Sequence, residues 1–134
     1  MATTLITSPA KATDTSFMDD YYHGSGALAV RVTGGITWHN RSVTLTGVKL
    51  FVKSGECGRA LFKGWAGSTM ADLKNTEADG LECSPVSTAQ GKWHDIPDFT
   101  LDGGSYTGGI REIDVEVVDV THSGSDGSSW FYRD

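Results

Sequence analysis

Apolar residues along this chain recur at every second position, and no stripe repeats at the three-and-four spacing of a helix. Leu28, Val30 and Val32 alternate with Ala29, Arg31 and Thr33, the mark of a strand with one face buried. Gly34-Gly35 then predicts a turn, and Ile36 to His39 a short extended piece. In the next segment Val43 and Leu45 fall on one parity, and Val48, Leu50 and Val52 on the other, with Gly47 at the switch. A register slip of one residue would carry half of these side chains into water, so the pattern predicts a β-bulge or bend at Gly47. Near the C-terminus Ile113, Val115 and Val117 share one parity and Val118 and Val120 the other, which predicts a second shift of the same kind. Arg59 to Trp65, Val86 to Ser87, Lys92 to Ile96, Phe99 to Leu101 and Ser129 to Tyr132 read as further strands. Met70 to Asp79 reads as the one short helix or helical turn. With β-branched residues dominant, these elements predict an all-β fold, an antiparallel β-sandwich of roughly seven to nine short strands.

Length and composition narrow this picture. A chain of 134 residues suits one hydrophobic core, and no interdomain linker or internal repeat interrupts it. Its 17 glycines are nearly twice the average usage, as many turns require. The net charge of -6 excludes a nucleic-acid surface, because phosphate binding needs basic stripes; Lys49, Lys53, Arg59 and Lys63 read as a solvated strand face. No run approaches the roughly 20 apolar residues that cross a bilayer, so no membrane partner is expected. Residues 1–26 read as an extended N-terminal arm preceding a single domain at 27–134. Within the arm, Ala10-Lys11-Ala12 has the small-x-small form of a signal-peptidase site, so residues 1–12 read either as the tail of an export signal or as plain arm.

Two cysteines, Cys57 and Cys83, lie in loop or strand-end contexts rich in Gly and Ser, where a bridge forms without disturbing a core strand. A Cys57–Cys83 disulfide closing about 26 residues would stabilise the fold by roughly 3.5 kcal/mol in the chain-entropy model. The alternatives are two free buried thiols, or a zinc site that would need two further ligands. A disulfide implies an exported, extracellular protein.

Candidate chemistry is sparse. Ser105, Ser125, His94, His122, Asp95 and Asp126 supply parts for serine catalysis, but no Gly-x-Ser-x-Gly elbow occurs. Glu112, Asp114 and Glu116 share one parity of one strand, about 7 Å apart, so a small glycoside hydrolase is one alternative; a solvated outer strand face is the other. His122 with Asp119 and Asp126, or Asp19 and Asp20 with His23, offer metal-ligand types, yet both read as ordinary turn chemistry, and neither a metal nor another cofactor is expected. Asn40-Arg41-Ser42 matches the glycosylation sequon. Aromatic residues are better represented: Trp38, Trp65, Trp93 and Trp130, with tyrosines nearby, could stack on sugar rings or anchor a protein, although two or three of the four indoles are expected in the core. In Trp130-Phe131-Tyr132 the middle ring faces opposite to its neighbours, so one side of that strand displays an aromatic outward unless a partner or another element covers it.

The stretch Val48 to Ala60, with Gly64-Trp65, Cys83 and Gly108-Gly109-Ile110-Arg111, resembles small secreted β-sandwich proteins of actinobacteria. Among these it is similar to the adaptor subunits of umbrella toxin particles, in which a β-sandwich with an extended arm links a lectin-like subunit to a large toxin subunit. The resemblance implies a non-catalytic protein-interaction module with lectin-like or toxin subunits as partners. The resemblance itself places no binding residues; from the sequence, Asp19, Asp20, Tyr21 and Tyr22 of the arm, with Phe131, are expected to meet the partner, by strand addition or by docking on an exposed edge. A carbohydrate-binding domain is the other non-catalytic alternative.

Overall fold

The computed structural model describes residues 13–79, 81–86 and 90–134. The candidate export segment, residues 1–12, lies outside the described residues, as does Ser87 of the strand expected at Val86 to Ser87. Two antiparallel sheets pack face to face. The first joins β1 (Ser16–Tyr22), β2 (Leu28–Trp38) and β3 (Ser42–Lys53) in that order, and β3 then pairs with both β7 (Gly91–Ile96) and β8 (Phe99–Asp102). The second runs β10 (Gly124–Ser125), β9 (Glu112–Asp119), β4 (Cys57–Ala66), β5 (Thr69–Asn75); β6 (Glu82–Cys83) pairs with β4 and β11 (Ser129–Tyr132) with β9. Between the sheets Val30, Val32, Val43, Leu45, Leu50 and Val52 meet Phe62, Ile113, Val115 and Val117 in one core. Burying these side chains supplies the main driving force for the fold.

The parity switch in β3 is a bulge. Thr33 pairs with Lys49 and Gly35 with Thr46, so two steps on β2 face three on β3. Gly47 takes the extra step with φ +58°, which only glycine adopts without strain, and its N–H is held by the Asp98 carboxylate at 3.0 Å. Both hydrophobic sets of β3 are thereby buried. The bulge also separates the two partners of β3, since β8 pairs with residues 42–45 and β7 with 48–53.

Four expectations are corrected. Gly34-Gly35 makes no turn, because β2 runs straight through it; a Cβ on Gly34 would sit 2.7 Å from the Phe17 ring, so glycine is required there for close approach. Met70 to Asp79 is not a helix. Gly67-Ser68 turns the chain into β5, which pairs along β4, and only Thr76–Asp79 winds into a 3-10 turn; pairing overrides the local preference of these residues. β9 has no second parity shift. It pairs with β4 without a break from Glu112–Trp65 to Asp119–Gly58, with Val118 on the outer face and Val120 past the strand end. Finally, residues 16–22 of the expected arm are an integral strand, with Phe17 3% exposed and in edge-to-face contact with Phe62 at 5.5 Å.

The Cys57–Cys83 disulfide is formed between paired residues of β4 and β6, with Cα atoms 4.0 Å apart. Both cysteines are consumed by it. No helix among the described residues is long and apolar enough to cross a membrane.

Candidate functional site

The residues expected to meet a partner separate by face. Asp20 and Tyr22 lie on the outer face of the first sheet, where the Arg31 guanidinium donates to Asp20 at 2.8 Å and to the Tyr22 hydroxyl at 2.9 Å. Tyr21 points the other way, half-buried, with its ring edge-on to His23. Phe131 points inward, half-buried and packed against Phe17 at 6.1 Å, so it is Trp130 that the terminal strand turns to solvent. The pairing explains this. Phe131 sits opposite Ile113, whose side chain faces the core, and cross-strand partners share a face.

Asp19 is buried and cannot meet a partner. Its Oδ1 accepts from the Ser129 hydroxyl at 2.6 Å, while Oδ2 has no donor among the described residues. Burial, and a hydrogen bond shared with the Asp126 carboxyl, push its pKa up to about 8 against the pull of Ser129, with the charges of Asp126 and Asp20 adding to the rise. A proton between Asp19 and Asp126 supplies the missing donor. The sign follows. Asp19 does not oppose folding below its unfolded value of 3.8, and its contribution to stability is lost progressively as pH rises to about 8. Asp19→Asn keeps both hydrogen bonds without a proton to lose. It is expected to raise stability at pH 8 by on the order of 2–3 kcal/mol and to flatten the fall between about pH 4 and 8, as urea denaturation across that range would record.

The edge of β1 away from β2 runs beside β11. Asp14 N–H donates to the Tyr132 carbonyl at 2.9 Å, and Tyr132 N–H to the Asp14 carboxylate at 2.7 Å. These bonds tie the chain just before β1 to β11, while β1 itself pairs with β2 alone among the described strands.

The outer face of the second sheet offers a docking surface. Trp65 and Trp130 lie with ring centroids 5.9 Å apart, and the register places Met70 opposite Trp65 and Leu73 opposite Lys63. Trp130, Met70 and Leu73 are each more than 40% exposed. Beneath the indoles Asp114, only 2% exposed, accepts from Trp65 Nε1 at 2.6 Å and from the Ser128 hydroxyl at 3.4 Å. This charge-assisted bond fixes the orientation of Trp65 from below.

No family model, curated protein or solved structure matches the chain.

Two alternatives find little support in the geometry. A flat sugar needs coplanar exposed rings, but Trp65 and Trp130 are inclined at 46° and Phe51 and Trp93 at 58°. None of the four indoles is fully buried; Trp38 and Trp65 are half-buried, Trp93 and Trp130 exposed, contrary to the expected two or three core residues. Of the strand carboxylates, Asp114 is tied to Trp65 and Glu116 accepts from the Ser125 hydroxyl at 2.7 Å. A surface depression of about 380 Å³ is lined by Arg59, Glu77, Val118, Val120 and Ser123 and by none of these carboxylates. Ser125 thus faces a glutamate, and His94 Nδ1 pairs with Glu82 at 2.8 Å.

At one end of the sandwich the two expected metal-ligand sets are redistributed. His23 from one set and Asp119 and His122 from the other converge, and Glu56, which sequence reasoning missed, completes a group of four. Asp119-x-x-His122 is the only local signal; His23 and Glu56 are 33 residues apart, a separation no spacing rule detects.

Proposed function

We propose that this domain is a non-catalytic, exported protein-binding module, an adaptor or structural subunit of an extracellular complex, that docks its partner on the outer face of its second sheet. The observation that carries this reading is the Trp65–Trp130 pair, beside exposed Met70 and Leu73 and fixed from beneath by the buried Asp114 carboxylate. The sandwich has a complete core without these side chains, so folding does not account for the exposure of Trp130, Met70 and Leu73 beside the half-buried Trp65. A contiguous exposed apolar patch is characteristic of an interaction surface, and tryptophans are the residues most often dominant in binding energy. Holding Trp65 in place before the partner arrives reduces the entropy lost on binding. The disulfide supports an oxidising destination. By its resemblance to umbrella-toxin adaptors, the partner is a lectin-like or toxin subunit.

The test is capture from the native secretome, followed by mass spectrometry and affinity measurement with the captured protein. Trp130→Ser combined with Met70→Ser is expected to weaken binding at least 30-fold with little change in melting. Trp93→Ser, on the other sheet, is expected to bind as the parent chain does. Equal binding by the double variant, or loss through Trp93→Ser alone, would overturn the assignment of the face.

A further inference from the structure

His23, Glu56, Asp119 and His122 come from three separate segments. His23 follows β1, Glu56 closes the β3–β4 connection, and Asp119 and His122 end β9 and begin its turn. His23 Nε2 lies 2.9 Å from Glu56 Oε1, and His122 Nδ1 lies 2.9 Å from Asp119 Oδ2. The remaining approaches are 3.4 Å for His122 Nδ1 to Glu56 Oε1 and 3.5 Å for His23 Nδ1 to Asp119 Oδ2. One donor atom from each of the four lies within 4.8 Å of all the others. A tetrahedron with metal–ligand bonds of about 2.0–2.1 Å has edges of about 3.3 Å; His23 approaches Glu56 and Asp119 through different ring nitrogens, so with one atom from each residue the group, within 4.8 Å, closes inward to surround an ion.

Burial adds a second argument. The Asp119 side chain is fully buried and that of Glu56 only 9% exposed, so two carboxylates lie within 4.8 Å of each other largely out of water. Lys53 Nζ, at 3.5 Å from Glu56 Oε2, is the one lysine or arginine ion-paired to either of them among the described residues. Buried carboxylates at such proximity are stabilised by positive charge, which an ion held between them would supply.

The surroundings are fixed. Asp119 Oδ1 accepts from the His122 backbone N–H at 3.3 Å, which leaves Oδ2 aimed at the group. Val120 N–H donates to the Cys57 carbonyl, Cys57 N–H to the Thr121 hydroxyl, and Ser84 N–H to the Glu56 carbonyl. The disulfide thus stands one residue from a ligand, and the Val120–Cys57 and Cys57–Thr121 hydrogen bonds tie two of the three segments together. Outer contacts of this kind orient ligands and raise affinity.

We propose that these four residues form a binding site for a divalent first-row transition ion of the zinc class, which clasps the two sheets at this end of the sandwich. Two imidazoles with two carboxylates suit zinc, whereas calcium takes oxygen ligands and thiolate-preferring ions have no free cysteine here. Four protein ligands make the site structural, with His122, 56% exposed, as the door through which the ion enters.

Chelator-treated full chain, titrated with zinc chloride, is expected to bind one equivalent. At 100 times the dissociation constant zinc should raise its melting temperature by on the order of 10 °C. Cobalt(II) should give the intense visible absorption of tetrahedral coordination. His122→Gln, at an exposed position that leaves the fold intact, should weaken zinc binding by more than the 10–100-fold that loss of an outer contact costs, and His23→Gln likewise. No binding at micromolar zinc, unchanged binding by both variants, or calcium binding in preference to zinc would each overturn the proposal.

Discussion

Phe17→Ala is expected to destabilise the domain by about 3–5 kcal/mol and to lower its melting temperature by roughly 10–20 °C. The ring contacts Phe62 and Phe131 edge-on and covers Gly34, whose missing side chain makes room for it. Removing it leaves a cavity that β2 cannot fill, because Gly34 has nothing to extend. Met18→Ala, one residue along and 55% exposed, should change stability by no more than about 0.5 kcal/mol. Thermal and urea unfolding of the two variants separate a strand that closes the core from an arm laid over it; a small loss for Phe17→Ala would mean an arm.

Removing the disulfide should have an effect of similar size. Cys57→Ser with Cys83→Ser releases a loop of sequence separation 26, and the chain-entropy model gives a loss of about 3.5 kcal/mol. The released loop contains β5, an edge strand that β4 alone holds in the second sheet. The urea midpoint of the double variant should therefore fall clearly below that of the parent chain, and a reductant should shift the parent toward the variant while leaving the variant unmoved. A midpoint unchanged by both treatments would show that pairing with β4 alone holds the loop.

Gly47 was legible in the sequence because apolar parity is a strict two-state signal, and a single extra residue reverses it. Gly34-Gly35 was not, since a glycine demanded by a neighbouring ring and a glycine demanded by a turn look alike in one dimension. Val118 and Val120 imitated a parity shift because an outer sheet face tolerates valine. Alternation sets Phe131 opposite to Trp130 and Tyr132 but does not say which side is outward; that is set by its register with Ile113, which the sequence alone does not carry. The His23, Glu56, Asp119 and His122 group was illegible for the same reason. Its members meet only because the end of β1, the β3–β4 connection and the end of β9 share one end of the sandwich, and only Asp119 and His122 lie close enough in sequence to hint at it.

The central claim is that a protein partner docks on the outer face of the second sheet. Amide hydrogen exchange, compared between the free domain and its complex with the captured partner, tests it most directly. The account predicts slowed exchange along residues 61–75 and 129–132, where Trp65, Met70, Leu73 and Trp130 lie; slowing confined to residues 18–22 and 91–95 of the opposite sheet would contradict it.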